Sequence, residues 1–197
     1  MRGIDVSNYQ PADLAGLIRE YGVEHVVVRL STESSWHREV AWAQLRSAID
    51  NGCTVSGYIW CYWDVEPRQH VRDALDVIRE AGLGPNDVRM VWLDVEDTNA
   101  LYRTSLQYWL DEAVRAVEEA GYRAGIYTAA WFWDHYAGNV DFSRLPLWAA
   151  QYDGQPTLDS VRLFGGWTIE MVWGKQYSAD EIDLNVFSEL VARGGGL

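Results

Sequence analysis

Along the 197-residue chain, hydrophobic positions alternate between a two-residue period and a spacing of three to four. Gly3–Val6 reads as a short first strand. Leu14, Leu17 and Ile18 then recur at helical spacing and predict a helix over Pro11–Tyr21. The β-branched run His25–Leu30 predicts a second strand, and Trp36–Asn51 a helix closed by Gly52. Thr54–Trp63 is a third, aromatic-rich strand. Pro67–Ala81 is a helix with proline at its start and Gly82 past its end. Arg89–Asp94 is the fourth strand, and Thr104–Ala120 the longest helix, capped by Thr104 and ended by Gly121. Arg123–Tyr127 is the fifth strand, with a short helix at Trp131–Tyr136. Leu145–Ala150, Ile169–Gln176 and Ile182–Val186 are further strand candidates, followed by a last short helix over Val186–Arg193.

Strand and helix in repeated alternation mean parallel strands joined by helical crossovers. About eight strand candidates favour a closed barrel over an open sheet, and no glycine-rich phosphate fingerprint supports a nucleotide-binding sheet. Helix signals thin out late in the chain. The expected fold class is therefore α/β: an irregular, modified TIM-like β/α barrel with reduced helices in the C-terminal third. No linker or repeat divides it, so residues 1–193 are expected to form one catalytic domain and 194–197 a flexible tail.

The charge balance, 16 Lys and Arg against 29 Asp and Glu, gives a net −13 and argues against nucleic acid as a partner, because phosphate binding needs clustered positive charge. No apolar run approaches the roughly 20 residues of a membrane span, so membrane insertion is not expected. Met1 leads directly into the first strand, so a signal peptide is expected to be either absent or already removed. The two cysteines, Cys53 and Cys61, read as buried thiols. The four histidines are scattered, so no metal site is expected. Eleven Trp and eleven Tyr, several among polar strand-end residues, are consistent with platforms for sugar rings.

The most informative segment is Val91-Trp-Leu-Asp-Val-Glu-Asp97. Side chains on a strand alternate faces, so Asp94 and Glu96 share one face about 6.5–7 Å apart along the chain. Two carboxyl groups that close cannot both ionise freely, which is the division of labour that glycoside cleavage needs. Taken alone, the pair could equally be a solvated strand end. Other strand ends carry similar chemistry: Asp5, Glu33, Tyr127, Trp148 with Gln151, Gln176 and Asp183. In the third strand Tyr58, Trp60 and Tyr62 share one parity and Ile59, Cys61 and Trp63 the other; the pattern does not choose which faces inward. In a parallel barrel all these ends converge on one rim, where such folds place their sites.

In this light the chain resembles the family 25 glycoside hydrolases, lysozymes of phage endolysins and bacterial autolysins. The matching pieces are Gly3-Ile-Asp-Val-Ser-Asn-Tyr-Gln10, Thr32-Glu33, Leu93-Asp-Val-Glu96, Gly125-Ile-Tyr-Thr128, Leu147-Trp-Ala-Ala-Gln-Tyr152, Gln176-Tyr-Ser178 and Asp183-Leu-Asn185. The resemblance implies cleavage of the β-1,4 bond between N-acetylmuramic acid and N-acetylglucosamine in bacterial cell-wall peptidoglycan. Glu96 would be the general acid, and Asp94 would orient the acetamido group or stabilise positive charge. Asp5 and Asp183 would complete the acidic cluster, while Tyr127, Trp148 and Gln176 shape the groove. With Glu33, Trp60, Tyr62 and Gln151 from the other strand ends, these form the expected site. No cofactor is implied, and a monomer is expected. A phage-encoded protein, made in the host cytoplasm and released to the wall, fits this picture, as does a fragment of a secreted bacterial protein.

The third strand departs from the family: Gly57 is followed by Tyr-Ile-Trp-Cys-Tyr-Trp. Ser34 stands for the usual glycine, and Arg29 or Leu30 for the usual lysine. Two alternatives stay open, a glycosidase of the same architecture on another acetamido-sugar polymer and a catalytically silent glycan-binding barrel.

Overall fold

The computed structural model describes residues 1–31, 34–98, 103–138 and 140–194, with the backbone alone for 103–105. Eight strands close a barrel in chain order: β1 (Arg2–Val6), β2 (His25–Arg29), β3 (Thr54–Trp60), β4 (Val88–Asp94), β5 (Arg123–Ala129), β6 (Leu147–Ala150), β7 (Val172–Ala179) and β8 (Asp183–Phe187). The helices are α1 (Ala15–Tyr21), α2 (Ser35–Asp50), α3 (Pro67–Glu80), α4 (Arg103–Glu119), the short α5 (Ala130–Phe132) continued by one π turn, and α6 (Leu190–Arg193). Between β6 and β7 the connection holds only two 3-10 turns, at Leu158–Ser160 and Ile169–Met171. Helices are thus sparse in the C-terminal third, as the pattern predicts.

The barrel is not wholly parallel. Strands β1 to β7 pair in parallel, but β8 runs antiparallel to both β7 and β1. Only residues 180–182 separate β7 from β8, and a parallel crossover needs about a dozen residues or more. The short gap was readable in the sequence and overrides the expectation of parallel strands throughout. Its consequence is functional. Asp183 begins its strand rather than ending it, yet it lies at the same rim as the C-terminal ends of the other seven.

Some boundaries also move. Helix α1 starts at Ala15, not at Pro11, because the Asp13 carboxylate takes the Ala15 N–H (3.0 Å) and the Ser47 hydroxyl (3.1 Å) in a turn that delays it. The segment expected as a strand from Ile169 begins with a 3-10 turn and pairs only from Val172. The third strand stops at Trp60, so Tyr62 and Trp63 lie beyond it. Helix α4 starts at Arg103, so the backbone places Thr104 within it rather than at its cap; the Thr32-Glu33 strand end and the tail from Gly195 on lie outside the described residues.

Alternation sorts side chains into two apolar layers. Outward-facing Ile4, Val26, Val28, Ile59, Val91 and Leu93 pack under the helices. Inward-facing Val27, Met90, Trp92, Trp148 and Phe187 fill the barrel. These rings fit because neighbouring inner positions are glycines. A Cβ on Gly125 would meet Trp92 at 2.4 Å, and one on Gly174 would meet Phe187 at 2.6 Å. Near the floor, buried His25 joins Thr54 and Ser56 through hydrogen bonds of 2.8 Å each. Burial lowers its pKa to about 3, so the ring stays neutral. Above this aromatic plug the barrel opens to polar side chains.

Candidate active site

Barrel register aligns the strand ends. Trp60 pairs with Asp94, Asp94 with Tyr127, and Tyr127 with Trp148, one residue from each of four successive strands. Across the closure Asp5 pairs with Asp183. Together with Glu96, just beyond β4, these residues line a cleft of about 220 Å³ at the upper rim. In β4, Met90, Trp92 and Asp94 face the lumen while Val91 and Leu93, with Val95 just beyond the strand, face the helices, so the period-two argument for Asp94 and Glu96 holds.

Asp5 is the best-fastened acid. Its Oδ2 accepts from Gln176 Nε2 (2.8 Å) and Asn185 Nδ2 (2.7 Å). Gln176 is itself oriented, because its Oε1 accepts from the hydroxyls of Tyr127 (2.7 Å) and Tyr152 (2.9 Å). Asn185 is oriented by the Trp148 indole, which donates to its Oδ1 at 2.9 Å. Aromatic hydroxyl and indole groups therefore decide which way both amides point. Asp94 is the contrast: it is 3% exposed, and its Oδ1 is buried without a hydrogen-bond partner among the described residues.

All four carboxyl groups titrate above their ordinary range. Burial and then the Asp183 charge raise Asp5 to about 8, although the Asn185 and Gln176 amides pull it down. Burial and then the charges of Glu96 and Asp5 hold Asp94 well above its usual value, with Arg29 acting the other way. Burial and then Asp183 raise Glu96. Burial raises Asp183 too, opposed by its hydrogen bond with Asp5. Burial is the leading cause for both members of the Asp94/Glu96 pair, and Asp94 lies deeper than the half-buried Glu96.

Of the other expected residues, Trp60, Tyr127, Trp148 and Gln176 line the cleft. Two do not. The Tyr62 hydroxyl accepts from Arg29 Nη2 (3.1 Å), and its ring packs edge-on to His70 outside the cleft lining. The Gln151 amide is spent on its own loop, donating to Asp153 (2.6 Å) and the Ser160 carbonyl (2.8 Å). Glu33 lies outside the described residues. The cleft also takes Ser7, Tyr9, Arg29, Tyr58 and Tyr152, which the expected site omitted. Tyr58 shares its parity with Trp60, so the inward face of the third strand accounts for both. Arg29 is the cation of this acidic cleft, its guanidinium bonded to the Ser31 carbonyl (3.0 Å) and 5.8 Å from the Trp60 ring centroid.

A larger cavity, about 620 Å³, opens at the opposite end of the barrel. Arg89 and Arg123 there donate to the carbonyls of Arg193 and Gly194 at the end of α6. No pair of carboxyl groups faces it among the described residues. Size does not locate the chemistry; convergent acids do.

The family model for glycosyl hydrolases family 25 matches residues 4–185. The chain is 25% identical to a probable GH family 25 lysozyme 3 of Dictyostelium discoideum, over 94% of this chain and 40% of that protein. Among solved structures it is similar in fold to a family GH25 lysozyme from Aspergillus fumigatus, with a TM-score of 0.79 and 19% identity over 100% of this chain and 99% of that one. It is also similar in fold to the modular Cpl-1 endolysin complexed with a peptidoglycan analogue, with a TM-score of 0.69 and 18% identity over 95% of this chain and 54% of that one. The chain spans about two-fifths of the length of the curated relatives it matches.

Proposed function

Because the chain belongs to glycosyl hydrolase family 25, we propose that it is a peptidoglycan hydrolase of the lysozyme type. It cleaves the β-1,4 bond between N-acetylmuramic acid and N-acetylglucosamine. The observation that carries this proposal is the set of four carboxyl groups, Asp5, Asp94, Glu96 and Asp183, each raised by burial at the mouth of one aromatic-walled cleft.

The geometry supports a division of roles. Glu96 is the more exposed of the Asp94/Glu96 pair and delivers its proton to the leaving glycosidic oxygen. The Asp94 carboxyl, part of the cleft lining, accepts the acetamido N–H of the sugar. A hydrogen bond to the charged form favours ionisation, so substrate docking draws Asp94 towards its anion and leaves the shared proton to Glu96. The positive charge that develops at the sugar is then met by Asp94 and Asp183 in a cleft of low dielectric. Tyr127 and Tyr58, raised well above the usual phenol range by burial and the nearby carboxylates, stay neutral.

We read the setting as lysis of the bacterial wall, by a phage endolysin or a portion of a secreted bacterial protein; the likeness in fold to the Cpl-1 endolysin supports the first. The test is digestion of purified peptidoglycan by wild type and Glu96→Gln, with new reducing ends identified by mass spectrometry after borohydride reduction. Fresh muramic acid ends from wild type alone are expected. No release from any peptidoglycan, or release undiminished in Glu96→Gln, overturns the proposal.

A further inference from the structure

Strand β7 turns adjacent residues to opposite sides. Gln176 faces the cleft. Lys175 faces out, beneath the helix-free segment 151–171, and is completely buried at 0% exposure. Its three N–H donors are all taken: by Asp153 Oδ1 (2.6 Å), the Gln155 carbonyl (2.9 Å) and Ser160 Oγ (2.5 Å). A buried ammonium is costly unless paired and fully hydrogen-bonded, and this one is both. Against the burial that raises it, bonds from Lys175, the Gln155 N–H and Gln151 bring Asp153 down to about 2.

The neighbour of Asp153 reaches the other way. Tyr152 sends its hydroxyl to Gln176 Oε1 on the cleft side. Consecutive residues 152 and 153 therefore clasp consecutive residues 176 and 175 across the two faces of one strand. Main-chain bonds from Gln151 to Gln176 and from Gly154 to Tyr177, each 3.0 Å, tether the segment. They leave the direction of the Tyr152 side chain to the clasp. Tyr152 is 58% exposed, and its hydroxyl also lies 3.4 Å from that of Tyr127.

We propose that Lys175 is a positioning residue: by gripping the loop from outside the barrel, it sets Tyr152 against Gln176 and so fixes one wall of the sugar cleft. Its kinetic consequence rests on the proposed glycosidase activity; its structural consequence does not.

Lys175→Met tests this. Methionine fills a similar volume, and the freed Asp153 sits at the surface where water can take it, so no charge is stranded. On soluble glycan strands the variant is expected to raise KM about five- to tenfold, the worth of one ordering hydrogen bond, while kcat changes by less than about twofold. Adding Lys175→Met to Tyr152→Phe is expected to cost almost nothing further, because both remove one wall contact. Independent, multiplying effects overturn the proposal. A substrate-free arm uses 3-fluorotyrosine at position 152, whose ¹⁹F resonance is expected to shift and broaden in Lys175→Met. Should that variant not fold, Asp153→Asn, which weakens the clasp from the surface side, carries the same measurement. An unmoved resonance overturns the proposal whatever the kinetics. If wild type cleaves no glycan but the resonance moves, the function proposed above fails and the positioning role stands.

Discussion

Replacing Asp5 by asparagine should make the protein more stable while damaging its activity. Asp5 is 7% exposed and its pKa is raised to about 8, chiefly by burial and then by Asp183. A carboxyl whose folded pKa lies above its unfolded value of 3.8 contributes full stability below that value. The contribution drains away as pH rises towards the folded pKa. Each pH unit in that window costs about 1.4 kcal/mol, so by pH 7 wild type has forfeited roughly 4 kcal/mol relative to a neutral side chain at the same place. Asparagine is such a side chain. Its carbonyl can still accept from Gln176 and Asn185, and its amide can face Asp183. Urea unfolding of wild type and Asp5→Asn from pH 4 to pH 9 measures the difference. The two stabilities should nearly coincide at pH 4, diverge with asparagine the more stable, and run parallel again above pH 8. Curves parallel throughout, or a less stable variant at pH 7, would refute the electrostatic reasoning. Hydrolysis by Asp5→Asn should fall, but less than in Glu96→Gln.

Glu96→Gln should lose about 10²-fold or more of its turnover, the usual scale of general acid catalysis, with its melting temperature retained, as reducing-end release and calorimetry would show. Activity should fall on the alkaline side as Glu96 loses its proton. Asp183→Asn removes a negative charge that raises Glu96, so the alkaline limb of kcat/KM should move to lower pH; a limb that stays or rises contradicts the assignment. Gly125→Ala would drive a methyl to 2.4 Å from the Trp92 ring and should destabilise by about 1–3 kcal/mol through overpacking, read from denaturant midpoints. An unchanged midpoint would mean the inner aromatic layer is looser than described.

Period-two alternation is a local property, and it told correctly that Asp94 and Glu96 share one face, the face on which Met90 and Trp92 look into the lumen. Strand–helix alternation likewise implied a barrel whose ends converge on one rim, and Trp60, Tyr127, Trp148 and Gln176 met there with Asp5, Asp94 and Asp183. The antiparallel last strand was also within reach of the sequence, because residues 180–182 cannot hold a crossover.

Other features depended on closure. Tyr62 and Gln151 carry suitable chemistry in suitable segments, yet one lies past the end of its strand and the other is consumed by its own loop. The full burial of Lys175 depends on segment 151–171 folding over it. That Asp94 is buried while Glu96 stays half-buried is likewise set by the closed barrel, not by residue type. A chain's pattern dictates which way a side chain points, because that follows from bonded geometry. How deep it sits, and which distant groups meet it there, is decided only when eight strands from one end of the chain to the other close around it.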